Sequence, residues 1–124
     1  MESPVEYAAV RHLLQQYIEG SYTANVDLLK TCFHADAVMS GYLEDELDIG
    51  TPQPFYDELE AATSSREAGE NYLGEIGFIH ICGPMASASV VEANLLGVNY
   101  VNHFHLLKIE GAWRIVSKIY TDAS

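Results

Sequence analysis

Long apolar runs are missing from this chain: no stretch reaches the roughly 18 residues that a membrane-crossing helix needs. Basic residues are scarce, with six Lys and Arg against 18 Asp and Glu, for a formal charge of −12 at pH 7. A phosphate backbone or an anionic membrane surface would be repelled over most of such a surface, so neither nucleic acid nor membrane is an expected partner. Cysteine is almost absent as well. Cys32 and Cys82 have no CxxC spacing and read as small buried hydrophobes, with the cytoplasm as the expected compartment. The opening Met1-Glu2-Ser3-Pro4 lacks a basic start and an apolar stretch, so a signal peptide is not expected. Gly74-Glu75-Ile76-Gly77 precedes no helix and is not a phosphate loop, and no Gly-x-Ser-x-Gly nucleophile elbow occurs. The acidic run Glu44-Asp45-Glu46, with Asp48, lacks the ligand spacing and the glycine of a calcium loop and reads as a solvated turn.

What remains is an ordinary globular composition, 48% apolar and 19% charged over 124 residues. A chain of that length forms a single domain, 1–124, and buries about two-thirds of the surface it exposes unfolded. Ser3-Pro4-Val5-Glu6 is a capping box, and behind it Val10, Leu13, Leu14, Tyr17, Ser21 and Tyr22 recur at spacings of three and four. This predicts a helix fading near Thr23-Ala24, followed by a second from Val26 to Phe33 capped by Asn25. Ala37 to Leu43 reads as a strand, and Leu47 to Ile49 as a short second one. Thr51-Pro52-Gln53-Pro54 opens a third helix with Phe55, Leu59 and Ala62 on one face, and Arg66 to Glu70 reads as a loop. Four strands follow over 72–82, 85–95, 99–109 and 112–121, separated by Gly83-Pro84, Leu96-Gly97-Val98 and Glu110-Gly111. Helices first and a meander last predict an α+β domain.

This order, together with Tyr17-Ile18-Glu19-Gly20, Cys32-Phe33-His34-Ala35-Asp36-Ala37 and the tail from Leu106 to Lys118, resembles the nuclear transport factor two-like superfamily. The likeness is greatest to its lumazine-binding branch, with SnoaL-like polyketide cyclases and ketosteroid isomerase as cousins. It implies a cone-shaped α+β barrel, in which three N-terminal helices pack on a strongly curved, antiparallel or mixed sheet of about six strands.

Period two divides the 99–109 strand into Tyr100, Asn102, Phe104 and Leu106 on one face and Val101, His103, His105, Leu107 and Ile109 on the other. On the next strand Trp113, Ile115, Ser117 and Ile119 alternate with Arg114, Val116, Lys118 and Tyr120. Both faces of the Asn102 strand carry apolar groups. The first is expected to line the space under the helices and the second to meet another copy of the chain in a homodimer.

Asn102 and Tyr17 read either as core residues with satisfied polar ends or as ligand contacts. The resemblance to ketosteroid isomerase places Tyr17 and Asn102 at that enzyme's two oxyanion donors. It also places Gly41 where the isomerase has its catalytic aspartate, so the base is missing unless His34, Asp36 or Glu44 replaces it. His34 is the general-base candidate by residue type, or else a helix-end histidine. His103 with His105 and His80 with Cys82 are pairs on strands and fall short of a metal site, which needs three or four ligands. Neither metal nor cofactor is expected.

Three readings follow. The first is a small-molecule-binding protein with an aromatic-lined pocket formed by Tyr17, His34, Phe55, Asn102, Phe104 and Ile115. Its ligand would be flat, mostly apolar, and uncharged or cationic. The second is a cofactor-independent isomerase, cyclase or dehydratase using His34 as base and Tyr17 with Asn102 as donors, without activity on a ketosteroid. The third is an association module without ligand.

Overall fold

The computed structural model describes residues 3–123. Helix α1, Pro4–Thr23, starts where the capping box predicts: Ser3 accepts from the Glu6 amide and Pro4 occupies the first turn. It stops at Ala24, whose left-handed backbone lets the next amide close on the Gly20 carbonyl. Helix α2, Val26–Cys32, is capped by Asn25, which accepts from the Leu28 amide at 3.1 Å. The chain passes straight into β1, Phe33–Leu43, and a two-residue turn at Glu44-Asp45, both at positive φ, returns it as β2, Glu46–Gly50. Helix α3, Gln53–Ala61, follows. A single-turn helix α4, Ser65–Ala68, stands where a loop was expected, because Ser64 accepts from the Glu67 amide and Gly69 takes the left-handed cap. The rest is β3 Leu73–Cys82, β4 Met85–Leu95, β5 Val98–Ile109 and β6 Ala112–Ala123. Among the described residues no helix is long and apolar enough to cross a membrane.

The strands form one six-stranded sheet in the order β2-β1-β6-β5-β4-β3, open at β2 and β3. All neighbours are antiparallel except β1 and β6, which run parallel, Val38 opposite Ser117 and Tyr42 opposite Thr121. The sheet is therefore mixed. Val10, Leu13, Leu14 and Tyr17 of α1, with Leu29 and Cys32 of α2, bury against Ala88, Val90, Phe104, Leu106 and Ile115 on the concave face. Glu6 ties the start of α1 to the last hairpin, accepting from Lys108 Nζ at 2.8 Å and from Trp113 Nε1 at 3.0 Å.

One irregularity changes what the pocket contains. His105 pairs with Ser117 and Leu106 with Ile115, so Val116 is an extra residue in β6. A bulge of this kind shifts the alternation by one place. Trp113 and Ile115 face inward as period two predicts, but beyond the bulge it is Lys118 that turns inward and Ile119 that turns out. Strict alternation would have grouped Ser117 and Ile119 with the core, and the structure corrects that.

Candidate functional site

Between α3 and the concave face lies a cavity of about 90 Å³, walled by Met39, Phe55, Leu95, Tyr100, Lys118 and Tyr120. Asp48, Thr51 and Glu58, all exposed, stand at its mouth. The α3 helix delivers Phe55 and Glu58 from successive turns, and the bulge in β6 delivers Lys118.

Lys118 is only 3% exposed. Its ammonium donates to the Tyr17 hydroxyl oxygen at 2.7 Å. It also sits 4.4 Å from the centre of the Phe55 ring, 5.0 Å from Tyr17 and 5.7 Å from Tyr120. Burial pulls its pKa down to about 8, while the charges of Glu92 and Glu58 pull the other way. The three rings also favour the ammonium through their negative faces. The lysine is thus a cation at neutral pH, within reach of becoming a free amine.

Behind it stands Glu92, with no exposed surface. Its Oε1 accepts from the Tyr17 hydroxyl at 2.8 Å and from Asn102 Nδ2 at 2.9 Å, and its Oε2 accepts from the Tyr72 hydroxyl at 2.7 Å. Three donors satisfy the carboxylate, and Tyr17 links it to Lys118 as donor on one side and acceptor on the other. Burial and the neighbouring carboxylate hold the Tyr17 phenol well above its ordinary pKa, so it stays protonated in that chain. Asn102 spends its second amide proton on the Val90 carbonyl at 3.1 Å.

The six pocket residues expected from sequence separate accordingly. Phe55 is in the cavity wall. Tyr17 and Asn102 converge on one oxygen of Glu92, so the donor protons that an oxyanion would need are committed to that carboxylate. Phe104 and Ile115 lie in the core, Phe104 edge-on to Tyr17 at 5.0 Å. His34 is half-buried at the start of β1, where its Nδ1 accepts from the Asp36 amide at 3.0 Å. Gly41 leaves no room for the aspartate of the isomerases, because a Cβ there would collide with the Tyr120 carbonyl oxygen. His103, His105, His80 and Cys82 are exposed, and among the described residues no three His, Cys, Asp or Glu side chains group as a metal site requires.

Neither Lys118 nor Glu92 is among the site residues expected from sequence, and period two groups Lys118 with the face opposite Trp113 and Ile115. The signal for Glu92 was present: alternation in Ala86-Ser87-Ala88-Ser89-Val90-Val91-Glu92 puts a carboxylate on the same face as two alanines and a valine. For Lys118 there was none, because the bulge that turns it inward has no sequence mark of its own.

A helical layer on an open, curved, mixed sheet, with a cavity between α3 and the concave face, defines a protein of the nuclear transport factor two-like superfamily. Within it the chain belongs to the family described as "Putative lumazine-binding", whose profile matches residues 5–121. A solved NTF2-like protein of unknown function from Shewanella baltica superposes with a TM-score of 0.88 at 29% identity, covering 100% of this chain and 99% of that one. Another, from Methylobacillus flagellatus, superposes at 0.88 with 26% identity over 99% of this chain and 96% of its own. The chain is also 28% identical over 116 residues to a Cladobotryum protein named Aldolase FrzH, covering 93% of this chain and 90% of that protein.

Proposed function

We propose that this chain binds a small molecule in the cavity beneath α3, with an oxygen acceptor of the ligand turned toward Lys118. The observation that carries this reading is a lysine buried to 3% exposure whose side chain nevertheless lines a cavity among aromatic rings. Burying a cation is costly, and Glu92 reached through Tyr17 offsets only part of that cost. A ligand carbonyl would give the ammonium a second acceptor. Asp48 and Glu58 at the mouth favour neutral or cationic substituents pointing outward and disfavour anionic ones. Titration of the protein with neutral ketones, followed by the aromatic proton resonances of Phe55 and Tyr120, tests this. Saturable shifts that weaken about tenfold in Lys118→Met, the loss of about one charge-assisted hydrogen bond, are expected. Shifts that are absent, or unaltered by the substitution, would remove the reading.

Catalysis on the bound molecule is the second reading. The name of the Cladobotryum relative, an aldolase, and the chain from Lys118 through Tyr17 to Glu92 favour carbonyl chemistry. A third element concerns assembly: two copies are proposed to associate through the outer sheet face. Val101, His103, His105, Leu107 and Ile109 of β5 stand on that face beside exposed Ile119, Val38 and Phe78.

A further inference from the structure

We propose that Lys118 Nζ forms a Schiff base with a small neutral or cationic aldehyde or ketone seated in this cavity. The inference rests on the reading of the cavity as a ligand pocket and gives that ligand a reactive role. Three observations carry it together. Lys118 lines a cavity whose volume of about 90 Å³ suits a carbonyl compound of a few carbons, and its amine sits 4.4 Å from the ring centre of Phe55 in the same wall. Rings surround it, it donates to the Tyr17 hydroxyl at 2.7 Å, and among the described residues no carboxylate forms an ion pair with it. Finally, that hydroxyl already donates to a buried carboxylate, Glu92, at 2.8 Å. A desolvated lysine beside a positioned proton acceptor is the arrangement that turns an ammonium into a nucleophile.

The relay closes the proton balance. Lys118 passes a proton to the Tyr17 oxygen as Tyr17 passes its own to Glu92, leaving an amine, a phenol and a neutral carboxylic acid. The amine lone pair forms the N–C bond while the C=O π pair moves to oxygen, and a proton shifts from nitrogen to that oxygen to give the carbinolamine. Glu92 then returns its proton through Tyr17 to the carbinolamine hydroxyl. The C–O bond breaks, water leaves, and the nitrogen pair forms C=N. An ammonium and a carbonyl have become an iminium and water, with the carboxylate restored and no oxidant or reductant involved.

The groups facing the amine are Tyr17 from α1, Asp48 from β2, Glu58 from α3, Glu92 from β4, Tyr100 from β5 and Tyr120 from β6. Burial raises all three phenols, Tyr100 to about 12, so they stay protonated while the amine titrates near 8. As the pH passes that value the amine also forms by losing its proton to solvent, so adduct formation rises between about pH 7 and pH 9. The other two lysines, Lys30 and Lys108, are exposed, and Lys108 is paired with Glu6.

The test is reductive trapping of the full chain with butanone and cyanoborohydride, read by intact mass and peptide mapping, with butan-2-ol as the matching ligand that cannot form an imine. One reduced adduct on Lys118, formed at least ~10-fold faster than on an exposed lysine, is expected, since an ordinary lysine is almost wholly protonated near neutral pH. Tyr17→Phe should slow trapping about tenfold while leaving butan-2-ol affinity within about twofold, as a lost relay does and a lost pocket does not. Lys118→Arg, which keeps the charge, should fold and lose the fast adduct, leaving only slow labelling of Lys30 and Lys108. Labelling confined to Lys30 and Lys108, with butan-2-ol still shifting the Phe55 and Tyr120 resonances, would overturn the Schiff base and leave the pocket standing. No adduct and no shift with either compound would overturn both.

Discussion

A buried lysine and a buried glutamate joined by a tyrosine form a neutral unit, and each member depends on the others. Removing one charge leaves the other stranded in low dielectric, whereas removing both leaves an apolar site. Glu92→Leu should therefore cost about 3–5 kcal/mol in urea unfolding, while Glu92→Leu with Lys118→Met should recover to within about 1–2 kcal/mol of the parent. Equal losses in the single and double variants would show that the two charges do not support each other. The same lysine gives the protein an alkaline signature. Its folded pKa of about 8 lies below its ordinary value of 10.5. Below about pH 8 it is charged in both states; above that, the unfolded chain binds more protons and stability rises with pH. Opposing groups take over above pH 9. Burial raises Cys32 from 9.0 to about 11, and Tyr56 and Tyr100 from 10.0 to about 12, so these lose their protons first in the unfolded chain. Their contribution fades as pH climbs through those ranges. The urea midpoint should peak near pH 9 and fall beyond 10, and Lys118→Met should erase the rise but not the fall.

At the level of elements, most of the chain was legible because its signals were local. The caps at Ser3 and Asn25, the spacing from Val10 to Tyr22, and the glycine-bearing turns at residues 83, 97 and 111 each act within a few residues and were read to within one or two positions. Two features were illegible for the opposite reason. The parallel pairing of β1 with β6 joins distant segments, and no property of Val38 or Ser117 specifies the other. The extra residue at Val116 shows only in its pairing with β5. Both bear on the site, so the fold was largely readable while its charged centre was half readable: Tyr17 and Asn102 were found, Glu92 and Lys118 were not. The parallel ladder also explains Gly41, whose missing Cβ lets the Tyr120 backbone approach. Gly41→Asp, the change that would restore an isomerase base, should cost about 3 kcal/mol or more by overpacking and give no isomerase activity. A variant as stable as the parent by thermal melting would contradict that.

For the whole molecule, charge distribution decides what the outer face can do. The chain carries −12 overall, yet Val38, Val91, Val101, His103, Leu107 and Ile119, outward across the middle of the sheet, themselves carry no carboxylate or strong base, with Arg114 opposite Leu107 and Glu75 opposite Val91 at the margins. Two copies of such an acidic chain repel everywhere except through a patch of that kind. Ile119 is 55% exposed at its centre. Ile119→Glu should convert a species of twice 13.7 kDa into one of 13.7 kDa in sedimentation without lowering the melting temperature by more than a few degrees. A parent that sediments as a monomer at micromolar concentration would end the proposal of a homodimer.

The ladder between β1 and β6 also sets an order in time. During synthesis β1 emerges long before the strand that must lie beside it, and domains of high sequence separation pay the loop-closure cost before contacts reward it. Tyr17, Tyr72, Asn102 and Glu92 are all made before β6, so the carboxylate can gather its neutral donors while the counter-charge is still to come. Lys118 arrives on the final strand, and with it the sheet gains its middle and the buried charge its complement. Without β6 the ladder β2-β1 has no bridge to β5-β4-β3, and Glu92 lacks the cation that Tyr17 links to it.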